Sequence, residues 1–252
     1  MSTKMSTAEF VVGFIGAVVS IFLFLSPFPT FKKIIKLRST KEYSAVPYVA
    51  TLLNCSLWLL YGSPFVNKGV LVFTINGAGA FIELFFICIY LAYSKDRRTR
   101  RNAVLMITAI VIFFVAVLLI SLLGIRRHSE RQTVVGILCV IIGTSMYVSP
   151  LTIMKTVITT KSTEFMPLAL SVFNLLNGII WTAYALIGHD LCEYITIPNA
   201  LGVFFALCQL TLYGCFCGNT RRMPTEITEN AKGVSPDVMS VGTAQFQYHV
   251  EV

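Results

Sequence analysis

Tyr48–Tyr61 reads YVATLLNCSLWLLY, and Ser171–Tyr184 reads SVFNLLNGIIWTAY. The two stretches lie 123 positions apart and agree at Val, at Leu-Leu-Asn, at Trp and at Tyr. Extended outward at that shift without a gap, residues 8–93 and 131–216 agree at 20 of 86 positions. Chance in so apolar a composition gives roughly a third as many. Pro27 pairs with Pro150, Ser39-Thr40 with Ser162-Thr163, Asn54 with Asn177, Trp58 with Trp181, Tyr61 with Tyr184, and Asn76 with Asn199. Core packing does not demand Asn, Trp and Pro at equivalent places in two apolar segments. A duplicated membrane unit with a polar site shared between its copies does.

The rest of the composition agrees with a lipid setting. The chain is 56% hydrophobic and 13% charged, with a mean hydropathy of +0.75. Seven stretches reach the roughly 20 apolar residues that a bilayer crossing needs: 10–30, 46–66, 69–94, 102–125, 132–154, 165–188 and 194–220. Within them Glu83 is the lone carboxylate inside the apolar run of a span. The first stretch has no strongly basic run before it and its motif returns in the fifth, so it is read as a retained helix and not a signal peptide.

Lysine and arginine orient the chain. With the N-terminus outside, 15 of the 20 basic residues fall on the cytosolic side, which favours N-out, C-in. The net charge of +8 is thus a topology signal. Spread over short loops, it does not form the single basic face that nucleic acid requires. The cysteines show no CxxC pair and no disulfide framework. No HExxH, GxSxG or phosphate-loop motif is present, so no enzyme, metal or cofactor is expected.

The expected fold is an all-α membrane protein with seven transmembrane helices. Two parallel three-helix repeats, 8–93 and 131–217, are joined by a linker helix, 102–125, and followed by a polar, flexible cytosolic tail, 218–252. Three spans per copy is an odd number, so the unmatched fourth span is what lets both copies face the same way. The duplication also argues against a G-protein-coupled receptor, whose helices do not repeat.

Two symmetric halves point to a pathway on the axis between them. Asn76 and Asn199 lie inside spans three and seven, where an amide must find a partner or water. Interhelical bonding is the alternative role for them. Asn54 and Asn177 precede Trp58 and Trp181 by four residues, which puts amide and indole on one helix face. Tryptophan usually marks a membrane interface, but these two occur more than half-way along their spans beside an amide. Aromatic faces with amides suit a ligand with C–H faces and many hydroxyls, such as a sugar ring. Pro27 and Pro150 weaken their helices and are read as hinges in preference to helix ends. Pro47 and Pro167 open spans two and six, outside the common register, and a helix-start role is the alternative. Glu83 has Ala206 as its repeat mate, and a structural, hydrogen-bonded role is set above a proton-coupling one.

The stretches FLFLSPFPTF, STKEYSAVPYVATLLNCSLWLLYG, TINGAGAFIEL and IPNALG, with the long run from Met146 to Gly188, resemble the plant SWEET (MtN3/saliva) sugar transporters over residues 10–217. The resemblance implies bidirectional, energy-independent sugar transport by alternating access, without ion or ATP coupling. It implies Pro27, Pro47, Pro150 and Pro167 as a tetrad tied to the conformational switch. It implies Asn76, Asn199, Trp58 and Trp181 as the sugar site and Tyr61 with Asp190 as the outer gate. Leu23, Asn54, Met146 and Asn177 match positions linked to sugar size, and residues this large suggest a narrow pocket for a monosaccharide such as glucose. Plasma membrane ahead of vacuole is the family's usual setting, and homo-oligomers, trimers included, are common in it. A sucrose-carrying uniporter, a proton-coupled carrier using Glu83, and a receptor-like protein working through its tail stay open as alternatives.

Overall fold

The computed structural model describes residues 6–40, 43–188 and 192–220. Every regular element among them is a helix, the form in which a single segment satisfies its own backbone polar groups in hydrocarbon. Helices α1 (Thr7–Leu25) and α2 (Phe28–Leu37) make the first span, α3 (Val46–Gly62) the second, α4 (Val70–Tyr93) the third and α5 (Arg97–Leu119) the fourth. Helices α6 (His128–Ser145) and α7 (Val148–Thr160) make the fifth, α8 (Leu168–Ile187) the sixth and α9 (Cys192–Thr220) the seventh. By length and composition six of these spans suffice to cross a membrane, and α3, with 17 residues, is the short one. At 1.5 Å per residue it measures about 25 Å.

Packing repeats as the sequence does. In the first half α4 packs on both α1 and α3, and α2 packs on α4; in the second, α9 packs on α6 and α8, and α7 packs on α9. The halves meet through α1 on α8 and through α3 on α6, which are mirror contacts under the repeat. Arg38 and Lys161, repeat mates, close α2 and α7 in the left-handed region at φ 50° and 55°. A non-glycine residue rarely adopts that region, so the two copies share even this unusual stop. Helix α5 has no counterpart. It packs on α3, brings Ala103, Met106, Ile107 and Ile110 to a cluster around Phe31, Tyr48 and Phe86, and ends in a π turn at Ile120–Gly124. Asp96 caps its start, accepting from the Thr99 backbone N–H and hydroxyl, both at 2.7 Å. Those two donors hold the Asp96 carboxyl below the usual carboxylate range.

The first and fifth spans do not end near their prolines, as an apolar-run count suggests; they break and resume. The count stops at the first lysines, yet α2 carries on with Thr30, Phe31 and Ile34 buried and its lysines outward. Pro27 and Pro29 have no N–H, so the carbonyls of Leu23 and Leu25 lose their usual donors. Ser26 N–H bonds Leu23 O at 3.1 Å in a tighter turn. In the fifth span the break falls at Met146-Tyr147, one turn before Pro150. In repeat register that is three positions earlier than the break at Ser26-Pro27.

Large apolar side chains such as Phe14, Phe22, Phe81, Ile112, Leu186 and Phe204 are exposed. In hydrocarbon such outward faces are solvated by lipid tails, and the interior is held by aromatic packing. Phe31 stacks on Phe86 at 4.3 Å, and Trp58 and Trp181 sit edge-on to Tyr61 and Tyr184 at 5.5 and 5.3 Å, another repeated pair of contacts.

Candidate functional site

Where the halves meet lies a cavity of about 190 Å³. Three of the pairs singled out above line it: Asn54 and Asn177, Trp58 and Trp181, Asn76 and Asn199. Val72 and Ile195, also repeat mates, add an apolar pair. Helix α1 contributes Ser20, Leu23 and Phe24, whereas their mates on α6 and its break, Gly143, Met146 and Tyr147, do not line the space. The cavity is therefore built on the pseudo-symmetry axis but displaced toward α1.

Each half fixes its amide the same way. Asn76 Nδ2 donates to Val72 O at 2.9 Å, and Asn199 Nδ2 donates to Ile195 O at 2.7 Å, one turn back on the same helix. That bond uses one of two N–H groups, and leaves the second N–H and the carbonyl oxygen for something in the cavity. Both tryptophans are over 90% buried, at 8% and 7% exposed. Around the second tryptophan a small network closes. Trp181 Nε1 donates to Ser20 Oγ at 3.0 Å, and Ser20 Oγ donates to Asn177 Oδ1 at 2.8 Å. Both bonds cross from α8 to α1, hence from one half to the other.

Aromatic-on-glycine sockets hold the broken spans against the third helix of each half. A Cβ at Gly79 would meet the Phe24 ring at 2.6 Å, and one at Gly202 would meet the Tyr147 hydroxyl at 2.6 Å. Phe24 and Tyr147 are repeat mates, as are Gly79 and Gly202. Tyr147 adds a hydrogen bond to the Pro198 carbonyl, on a helix whose internal proline has already freed the Tyr194 carbonyl.

With six spans in two matching halves, a seventh linking them, and paired amides and indoles around one cavity, the comparison with known proteins is specific. Residues 10–98 and 133–221 each match a family described as sugar efflux transporter for intercellular exchange, so the match itself falls twice, once per half. The chain belongs to the MtN3/saliva, or SWEET, family. Its relatives include the bidirectional sugar transporter SWEET4 of Oryza sativa subsp. indica, 51% identical over 86% of this chain and 83% of that one. SWEET7 of Arabidopsis thaliana is 44% identical, covering 88% and 86%. A eukaryotic SWEET transporter solved at 3.7 Å resolution superposes with a TM-score of 0.79 at 36% identity, covering 83% of this chain and 97% of that one. The protein is an integral membrane transporter of this family and not an enzyme.

Within this SWEET fold the remaining predicted residues are placed as follows. Leu23 lines the cavity; Met146 is half-buried at the α6–α7 break and does not line it. Pro47 lies in the first turn of α3 and Pro167 is the residue before α8. Tyr61 is fully buried, packed edge-on to Trp58 and Tyr194. Asp190 lies outside the described residues, as does the tail from 221 onward. Glu83 is 3% exposed, and its Oε2 makes no hydrogen bond among the described residues. Its depth follows from its neighbours: Phe24 sits over Gly79 and Phe31 over Phe86, both pairs 55 positions apart. Glu83 is thus level with Phe28, beside the break in the first span. Ala206, its mate, is equally buried.

Ser20, Phe24 and Tyr147 escaped the sequence reading. A search keyed to identical repeat mates passes over them, because Ser20 pairs with Gly143 and Phe24 with Tyr147.

Proposed function

We propose that the protein is a bidirectional, energy-independent monosaccharide uniporter, with glucose as its representative substrate, working by alternating access. The observation carrying this reading is the paired set of amides and indoles, Asn76 with Asn199, Asn54 with Asn177 and Trp58 with Trp181, around one cavity between two matching halves. Amides that both donate and accept match hydroxyls in either sense, and aromatic faces match the C–H faces of a pyranose. The volume of about 190 Å³ is below the roughly 300–1,000 Å³ of pockets that hold drug-sized molecules, which suits one sugar ring better than two. Leu23 and the two asparagines at 54 and 177 narrow it further; Met146 would act from the α6–α7 break.

The motion would be a rocking of unit 8–93 against unit 131–217, with 102–125 as a passive linker and the tail 218–252 outside the moving body. Pro27 sits at the break in the first span and Pro150 in the first turn after the break in the fifth, and both would serve as hinges; Pro47 and Pro167 free the starts of α3 and α8. Tyr61 and Asp190 would form the outer gate. The N-out, C-in orientation belongs to this reading on the distribution of basic residues, and the plasma membrane and homo-oligomers, trimers among them, as the family's usual arrangement.

The test is uptake of labelled glucose and sucrose into proteoliposomes without an ion gradient. Saturable glucose uptake with weak sucrose uptake is expected. Equal sucrose uptake would overturn the monosaccharide assignment and leave the uniporter. One observation favours a second reading: Glu83, buried with an unbonded oxygen, is what a proton-coupled carrier would need. In that case flux follows an imposed pH gradient and fails in Glu83→Gln.

A further inference from the structure

Arg131 stands in the first turn of α6, where the helix dipole favours an anion over a cation. Its guanidinium is spent elsewhere. Nη1 donates to the Phe65 carbonyl at 3.0 Å and Nη2 to the Ile125 carbonyl at 2.8 Å, and Nε is buried. Phe65 lies in the loop that follows α3, and Ile125 is the residue just past the π turn that ends α5. One planar group thus joins the second, fourth and fifth spans at the same end of the bundle. A rigid fork of donors can hold two carbonyls at once; a lysine ammonium is a point charge and holds them less well.

The acceptor in the α3–α4 loop is itself fixed. The N–H groups of Val66, Asn67 and Lys68 converge on Ser63 O at 3.0–3.1 Å. Beside this loop Tyr61, Val66 and Val135 are fully buried and share one cluster with Trp58. These side chains close the bundle between Trp58 and the end where α3 finishes. Of the two arginine bonds, the one to Ile125 stays within the connection into α6, whereas the one to Phe65 crosses from unit 131–217 to unit 8–93. On the matching seam, α1 on α8, the repeat mates of Arg131 and Phe65 are Ala8 and Gly188. Alanine has no side-chain donor. Glu9 packs there instead, close enough that a Cβ at Gly188 would meet its Oε1 at 2.8 Å.

Resting on the alternating-access reading above, we propose that Arg131 is a latch across the α3–α6 seam, holding shut the end of the bundle where α3 finishes, the outer end in the N-out orientation. Rocking that opens this end breaks the bond from Nη1 to Phe65. The bond to Ile125 keeps the guanidinium in place to remake it on closure. The latch is one-sided, because Ala8 cannot make the matching bond on the α1–α8 seam. Arg131 does not line the cavity. It is a positioning residue, which sets the share of time the carrier spends closed at that end.

The experiment uses membranes carrying the full chain with a reporter thiol, Val66→Cys at the latched end or Val157→Cys near the other; both valines are fully buried. The membranes are treated with N-ethylmaleimide, and alkylation at each reporter is followed by mass spectrometry of its peptide. The thiol at 66 reacts only while the latched end is open. Adding Arg131→Met, of similar length and without donors, is expected to speed its reaction at least about ten-fold, the scale of one lost hydrogen bond to a charged group. The thiol at 157 is expected to react no faster. Equal acceleration at both positions would mean a general loosening of the fold and would overturn the latch. An unchanged rate at 66, with saturable glucose uptake by the same protein, would overturn the latch and leave the uniporter. A thiol at 66 that stays unreactive in every variant, with no saturable glucose uptake, would overturn the alternating-access reading and the latch with it.

Discussion

Asn199 and Asn76 each spend one N–H on the carbonyl one turn back, at 2.7 and 2.9 Å, so their amides are oriented before any ligand arrives. Pre-oriented donors lose less entropy on binding. Asn199→Ala is therefore expected to lower glucose flux by at least about ten-fold with membrane expression unchanged; flux within two-fold of wild type would contradict it. Trp181→Ala removes an indole that also holds Ser20, and is expected to abolish uptake. Glu83→Gln keeps an amide able to donate and is expected to retain flux; its loss, with wild-type flux tracking a pH gradient, would favour proton coupling. The paired amides and indoles were legible in sequence because duplication repeated them. Ser20 was not, because its meaning lies in a contact from α1 to α8 and its mate is a glycine.

Helices carry the asymmetry between halves. The break in the fifth span comes one turn before Pro150, while that in the first falls at Pro27. Phe24 consequently reaches the cavity while Tyr147 is held at the Pro198 carbonyl. Gly79→Ala tests the socket: its Cβ would lie 2.6 Å from the Phe24 ring, a distance that forces the ring to move, and the cavity is where it borders open space. Uptake reduced several-fold with normal expression is expected, and wild-type uptake would contradict the tight socket. At the start of α5, Thr99 donates twice to Asp96 and lowers its pKa. A depressed carboxylate pKa stabilises the folded cap above the ordinary range, and that contribution is lost as pH falls through the lowered value. Thr99→Ala should raise the Asp96 pKa in an NMR titration; an unmoved pKa would refute the hydroxyl's part. Span existence was legible from apolar length, but span ends were not. The lysines of α2 stop an apolar count while its buried face continues to Ile34.

At the scale of the molecule, the repeat found at a shift of 123 residues reappears as packing: α1 on α8 and α3 on α6, with a cavity between. On the proposed reading the two units rock about the shared site and open the cavity first to one side and then to the other. A carrier of that kind moves substrate down its gradient in either direction. Counterflow tests this most directly. Proteoliposomes loaded with unlabelled glucose, with no ion or pH gradient, should take up labelled glucose transiently above its equilibrium level, and Asn199→Ala vesicles should not. Uptake that ignores internal glucose, or that begins only when a proton gradient is imposed, would contradict the uniporter.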